Sequence, residues 1–163
     1  MKNIRLFSTD LQRFARSKNA LRTHWVAPYT AEGEMPDAAT DTGWSKIARY
    51  ISTVDDGTSE ETDDTGFYDG DGTPETTVTS VAVGYSFEGF YDPEDAAQAL
   101  IEALKLKVGD DRKVWFRVKR TDGKIWTGRA TVTEIIAGSG DATEFETFSC
   151  TVTYDKIPEV TTP

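Results

Sequence analysis

The chain has 163 residues, a formal net charge of −10 at pH 7, and a hydrophobic fraction of 37% against a charged fraction of 28%, enough for one core with polar extensions outside it. The acidic balance excludes wrapping DNA or lying on an anionic membrane, since both need Lys and Arg at phosphate groups; the single cysteine, Cys150, excludes an intrachain disulfide and a multi-thiolate zinc site. No apolar run approaches the roughly 18 residues that span a bilayer and the start lacks the apolar stretch of a secretory signal, so folding in a cytoplasm, with no membrane partner, is expected.

Residues 1–25 carry Lys2, Arg5, Arg13, Arg16, Lys18 and Arg22 against one acid, Asp10, and read as a basic arm in which Leu6, Phe7, Leu11 and Phe14 are adhesive positions. Residues 31–42, with Gly33, Pro36 and acidic side chains, read as a linker, so that 1–43 forms an N-terminal arm and linker and the folded domain spans 44–158. Within it, residues 44–54 read as a strand of imperfect alternation. Residues 55–76 then carry Asp55, Asp56, Glu60, Glu61, Asp63, Asp64, Asp69, Asp71 and Glu75 with no Lys or Arg. Such a segment buries too little apolar surface to offset its ordering entropy and is expected to be a mobile acidic loop. Phe67 and Tyr68 are its exceptions and predict an anchor, on the same domain or on a neighbour.

Residues 78–91 alternate cleanly. One face carries Val81, Val83, Tyr85 and Phe87 for the core, and the other carries Ser80, Ala82, Gly84, Ser86 and Glu88, which are small or polar. Asp92 followed by Pro93 predicts the cap and first position of a helix over 92–108, with Ala96, Leu100, Ala103, Leu104 and Lys107 as its packed stripe and Gly109 as its stop. Residues 112–120 alternate Val114, Phe116 and Val118 against Lys113, Trp115, Arg117 and Lys119. Asp122-Gly123 then predicts a tight hairpin into a return strand over 125–136, with a last strand over 143–154 and a loose tail at 159–163. The order predicts a mainly β (α+β) fold, an antiparallel sandwich or strongly curved sheet with one flanking helix.

Catalytic chemistry finds no footing in these residues. His24, the only histidine, has no partner pattern of a general base, and no nucleophile elbow, phosphate loop or metal-binding His pair is present. Asp69 and Asp71 begin a calcium-loop spacing that fails at Thr73 and Pro74, leaving a two-ligand calcium candidate and no expected cofactor. Lys113, Arg117 and Lys119 read as a solvated face or a nucleic-acid patch. The basic arm, basic strand face and acidic loop are complementary, and such charges steer copies of one chain into head-to-tail contact.

Four stretches carry a resemblance: GFYDGDGTPE at 66–75, VAVGYSFEGFYDPEDAAQ at 81–98, the strand at 112–118, and GRATVTEIIAGSGDATEFETFSCTV at 128–152. Together they resemble the major tail protein, or tail-tube subunit, of long non-contractile-tailed bacteriophages of Gram-positive bacteria, over roughly 44–158. The resemblance implies a tail-tube-like β-sandwich with a flanking helix, homo-hexameric rings stacked into a tube, and a virion location in the tail after assembly in the host cytoplasm. It also implies tape-measure and tail-terminator or tail-tip proteins as partners, and DNA that passes through without specific binding. The arm (Leu6, Phe7, Leu11, Phe14, Arg16) and the acidic loop (Asp63, Asp64, Phe67, Tyr68) are then expected at inter-subunit contacts. Ser80, Ala82, Gly84, Ser86 and Glu88, with Glu144 and Glu146, are expected to face the lumen, and Lys113, Arg117 and Lys119 away from it. The alternative is an extracellular β-sandwich that binds carbohydrate or protein through Trp115 and Trp126.

Overall fold

The computed structural model describes residues 17–162. After a short 3₁₀ turn the strands are β1 (Thr23–Pro28), β2 (Ser45–Ile47), β3 (Ile51–Asp56), β4 (Ser59–Thr65), β5 (Glu75–Ala82) and β6 (Gly84–Phe90). The helix α1 (Ala96–Ala103) follows, then β7 (Lys113–Lys119), β8 (Ile125–Ala137), β9 (Thr147–Tyr154) and β10 (Glu159–Thr161). One antiparallel sheet runs in the order β2-β1-β7-β8-β9-β6-β3, with β10 added to β8, and β4 and β5 form a separate two-stranded ribbon.

The sheet curls into a half-barrel. β1 and β6 are separated by three strands, so a flat sheet would hold them about 19 Å apart, yet the ring of His24 lies 5.1 Å from those of both Tyr85 and Phe87. The inward positions of the alternation predicted over 112–120, Val114, Phe116 and Val118, are buried in this core, and Ala130, Val132, Phe148, Cys150 and Val152 of β8 and β9 complete it. Cys150 packs there as an apolar group, and burial pushes its thiol up to about 12. Gly123, at φ 86°, makes the expected tight turn between β7 and β8.

Several expectations are corrected. The arm and linker do not end at residue 43, because Thr23–Pro28 is a sheet strand between β2 and β7 with Val26 and Ala27 fully buried. The predicted strand over 44–54 is two strands, broken at 48–50, where Tyr50 takes a left-handed φ of 57°. The acidic loop is a β-ribbon: β4 and β5 pair from Ser59↔Ala82 to Thr65↔Glu75, prolonging the hairpin begun by β3 and β6. The Gly57 amide donates to the Gly84 carbonyl at its base. Every β4 residue is exposed, so the ribbon is ordered by backbone pairing and by its rooted base, without apolar burial. The tail is paired as well, Glu159 to Thr161 lying against Thr127 to Ile125.

The helix is shorter than predicted and capped elsewhere. Asp95 accepts from the Ala97 and Gln98 amides, whereas Asp92 accepts from the Glu94 amide and pairs with Arg49 at 2.8 Å. Both aspartates satisfy the local rule for a cap; Pro93 and Glu94 form a turn instead of a first helical turn. The buried stripe is therefore shifted, to Ala97, Gln98, Ile101 and Leu104. In β8 the run of inward residues would bring Glu134 into the core, but a bulge with Glu134 at φ 53° turns it out and places Ile135 inside.

At the β3–β6 junction the backbones nearly touch. A Cβ on Gly89 would lie 2.1 Å from the Tyr50 carbonyl oxygen and 2.8 Å from the Ile51 Cα, and backbone atoms in a paired strand cannot yield as a flexible side chain does. Gly89→Ala is expected to cost at least about 2 kcal/mol, read as a lowered urea midpoint. An unchanged midpoint would show that β3 is free to shift.

Candidate assembly surface

Two faces of the half-barrel differ chemically. Over β3, β6, β9 and the upper half of β8, the outward residues are mostly hydroxyls and carboxylates, with the exposed Ile136 and Phe90 at the upper end. Register places Asp55, Ser86, Thr151 and Thr133 in one row and Thr53, Glu88 and Ser149 in the next. The Ser86 and Thr151 hydroxyls meet at 3.0 Å, and Thr151 donates to Glu134 at 2.9 Å. The Glu134 bulge thus adds a third carboxylate to those of Asp55 and Glu88.

Of the residues expected at the lumen, the structure brings Gly84, Ser86 and Glu88 onto this face. Ser80 and Ala82 lie below it on β5, where Ser80 donates to Glu61 at 3.3 Å. Glu144 and Glu146 are in the β8–β9 loop, and the Glu146 backbone carbonyl accepts from the Tyr91 amide at 2.8 Å.

Over β1, β7 and the lower half of β8 the outward face is covered. Arg117 is fully buried, with its guanidinium 4.7 Å from the Trp25 ring and 4.8 Å from the Trp44 ring. It donates to the carbonyls of Ala38 (3.1 Å) and Thr40 and to the Asp41 carboxylate (2.7 Å). Lys119 donates to the same carboxylate, and together Lys119 and Arg117 hold Asp41 below the usual carboxylate range. Lys113 pairs with Asp110 and Asp155. The expected basic strand face is therefore consumed inside the chain, and the expected linker is a second layer pinned by Arg117. No short motif announces this, because Arg117, Trp25, Trp44 and residues 37–41 are far apart in sequence.

Gln98 was also missed. It is 1% exposed and ties three segments: its amide nitrogen donates to the carbonyls of Arg49 (2.9 Å) and Phe90 (3.2 Å), and its oxygen accepts from the Asp92 amide (2.8 Å). This closes one end of the half-barrel where the edge strands β2 and β3 are joined. Tyr91, beside it, donates to Glu102 at 2.6 Å, which pushes the phenol up to about 12.

Among the expected contact residues, Leu6, Phe7, Leu11, Phe14 and Arg16 lie outside the described residues. Asp63 and Asp64 are exposed on β4, and Phe67 and Tyr68, at the ribbon's tip, are 68% and 109% exposed. Neither aromatic is anchored on its own domain. At the calcium candidate, Asp71 accepts from the Thr73 amide at 2.9 Å, which lowers its pKa; among the described residues no three acidic, His or Cys side chains converge as a metal site. Trp115 and Trp126 do not form one platform. Trp115 is registered with Arg129 on the outward face and meets Tyr29 at 5.1 Å, whereas Trp126 is registered with Val118, packs on the core and lies under Arg120.

No family model matches the chain, and no curated protein matches it. Solved structures do. A chain of the tail of an empty GTA particle, refined helically with C6 symmetry, superposes with a TM-score of 0.65 at 14% identity, covering 90% of this chain and 99% of that one. The anti-feeding prophage cap, a tube-terminating cap, gives 0.54 at 13% identity over 98% and 100% of the two chains. The PVC sheath–tube complex of an extracellular contractile injection system gives 0.53 at 13% identity over 93% and 95%. The chain therefore shares the fold of proteins that build phage-like tails and injection tubes.

Proposed function

We propose that this chain is a structural, non-enzymatic subunit of a virion tail tube, and that its copies form six-membered rings which stack and conduct DNA during ejection. The observation that carries this reading is the fold: 90% of this chain superposes on 99% of a chain from a tail. The curled sheet supports it, since β3 offers an unpaired edge of the kind that a neighbouring sheet satisfies. The hydroxyl and carboxylate face around Ser86 and Glu88 suits the lumen. Fixed negative charge within about a Debye length, roughly 8 Å at physiological salt, keeps phosphates from adhering. Tape-measure and terminator or tip proteins are the expected partners at the tube's interior and ends. A long non-contractile tail of a phage of Gram-positive bacteria is the setting that the sequence resemblance implies; the shared fold spans contractile systems too.

The test is electron microscopy of the full chain at rising concentration, where hollow tubes of uniform diameter are expected. Replacing residues 59–82 with a short turn, which keeps Val83 on the core and its carbonyl bonded to the Tyr154 amide, should leave the thermal midpoint of the body within about 2 °C, because β4 and β5 pair only with each other, while abolishing tubes. Stable monomers at every concentration would sink the proposal.

A further inference from the structure

Two exposed segments outside the sheet combine apolar side chains with charge of a single sign, and the signs are opposite. At the ribbon's tip, Phe67 and Tyr68 stand in solvent beside Asp63, Asp64, Asp69 and Asp71, with no Lys or Arg anywhere in 55–76. After α1, the run Lys105-Leu106-Lys107-Val108 exposes Leu106 by 95% and Val108 by 80%. Its two lysines are exposed and make no ion pair among the described residues. Asp110, nearby, is already paired with Lys113.

The topology points these segments in opposite directions. β6 is antiparallel to β9, β9 to β8, and β8 to β7, so β6 and β7 run oppositely. The ribbon leaves the sheet at the start of β6, and residues 105–112 approach it at the start of β7. A contact between the two segments joins the lower end of one copy to the upper end of another, which is heterologous and does not close on itself.

We infer that Lys105-Leu106-Lys107-Val108 is the receptor, on a second copy of this chain, for the acidic aromatic tip at Phe67-Tyr68. This rests on the tail-tube reading and adds the surface through which one copy grips the next. Exposed aliphatics cover the aromatics, and the unpaired lysines meet the unpaired aspartates.

Two measurements on the full chain test the contact. Lys105→Glu with Lys107→Glu should raise the concentration needed for tube growth at least tenfold, and adding Asp63→Lys with Asp64→Lys to the same chain should restore growth. Separately, a chain carrying Tyr68→Cys and Leu106→Cys, treated with a short thiol crosslinker, should give a ladder of linked species, with the buried Cys150 remaining inert. Dimers from Tyr68→Cys alone would place tip against tip and overturn the contact. Wild-type tubes with no ladder, and with undiminished growth of the lysine variant, would overturn the contact and keep the tube. A ladder without tubes would keep the contact and sink the tube.

Discussion

Replacing Arg117 with alanine is expected to cost about 3 kcal/mol of folding stability, a fall in thermal midpoint of roughly 6–12 °C for a domain of this size. The side chain is fully buried between two indoles and donates to two backbone carbonyls and a carboxylate. Truncation strands the carbonyls of Ala38 and Thr40 beneath the layer they belong to and leaves a void between Trp25 and Trp44. Half the exposure of Asp41 remains in water, at 55%, so the ion pair itself contributes little; the stack and the carbonyl bonds carry most of the loss. Arg117→Lys should recover less than half, because an ammonium has neither the planar fork nor the stacking face. Urea unfolding followed by tryptophan fluorescence reads the effect, since two of the four indoles flank the site. A change below about 1 kcal/mol would mean that residues 31–42 hold their place without the guanidinium.

Acid should loosen the fold through His24. The imidazole is 4% exposed and its Nε2 has no hydrogen-bond partner; it lies among Tyr85, Phe87 and Phe116. Burial, aided by the charge of Arg22, lowers its pKa from 6.5 to about 4. Between those values the unfolded chain binds a proton that the folded chain refuses. The contribution of this site is therefore full above pH 6.5, declines as pH falls, and is lost by about pH 4, a swing of about 3 kcal/mol. Asp41, Asp56 and Asp110 also have lowered pKa values, and they weaken the fold in the same direction at the acid end. The comparison with His24→Phe isolates the histidine, because phenylalanine keeps the ring and removes both the titration and the orphaned nitrogen. The variant's urea midpoint should fall less than the wild type's between pH 6.5 and 4; parallel curves would show that His24 is protonated in place at no cost.

The amino-acid order by itself determined the period-2 cores of β6 and β7, the Asp122-Gly123 turn, the presence of one packed helix and the acidity of the projecting segment, because each is set by neighbours a few residues apart. Even there the local rules left a choice between Asp92 and Asp95, since either carboxylate can cap a helix and only the fit of Ile101 and Leu104 into the core selects the second. The ribbon escaped notice because a strand pair held by backbone bonds needs no apolar stripe, and the acids at 55–76 mask its pairing. Tertiary structure alone decided between the sandwich and the curved sheet that the pattern left open, the insertion of β1 beside β7, and the conversion of a basic strand face into a buried staple. Each of these depends on which distant segment lies across from which. A guanidinium on a strand reads as solvent-facing until two indoles and a row of carbonyls, brought from elsewhere in the chain, replace the water around it.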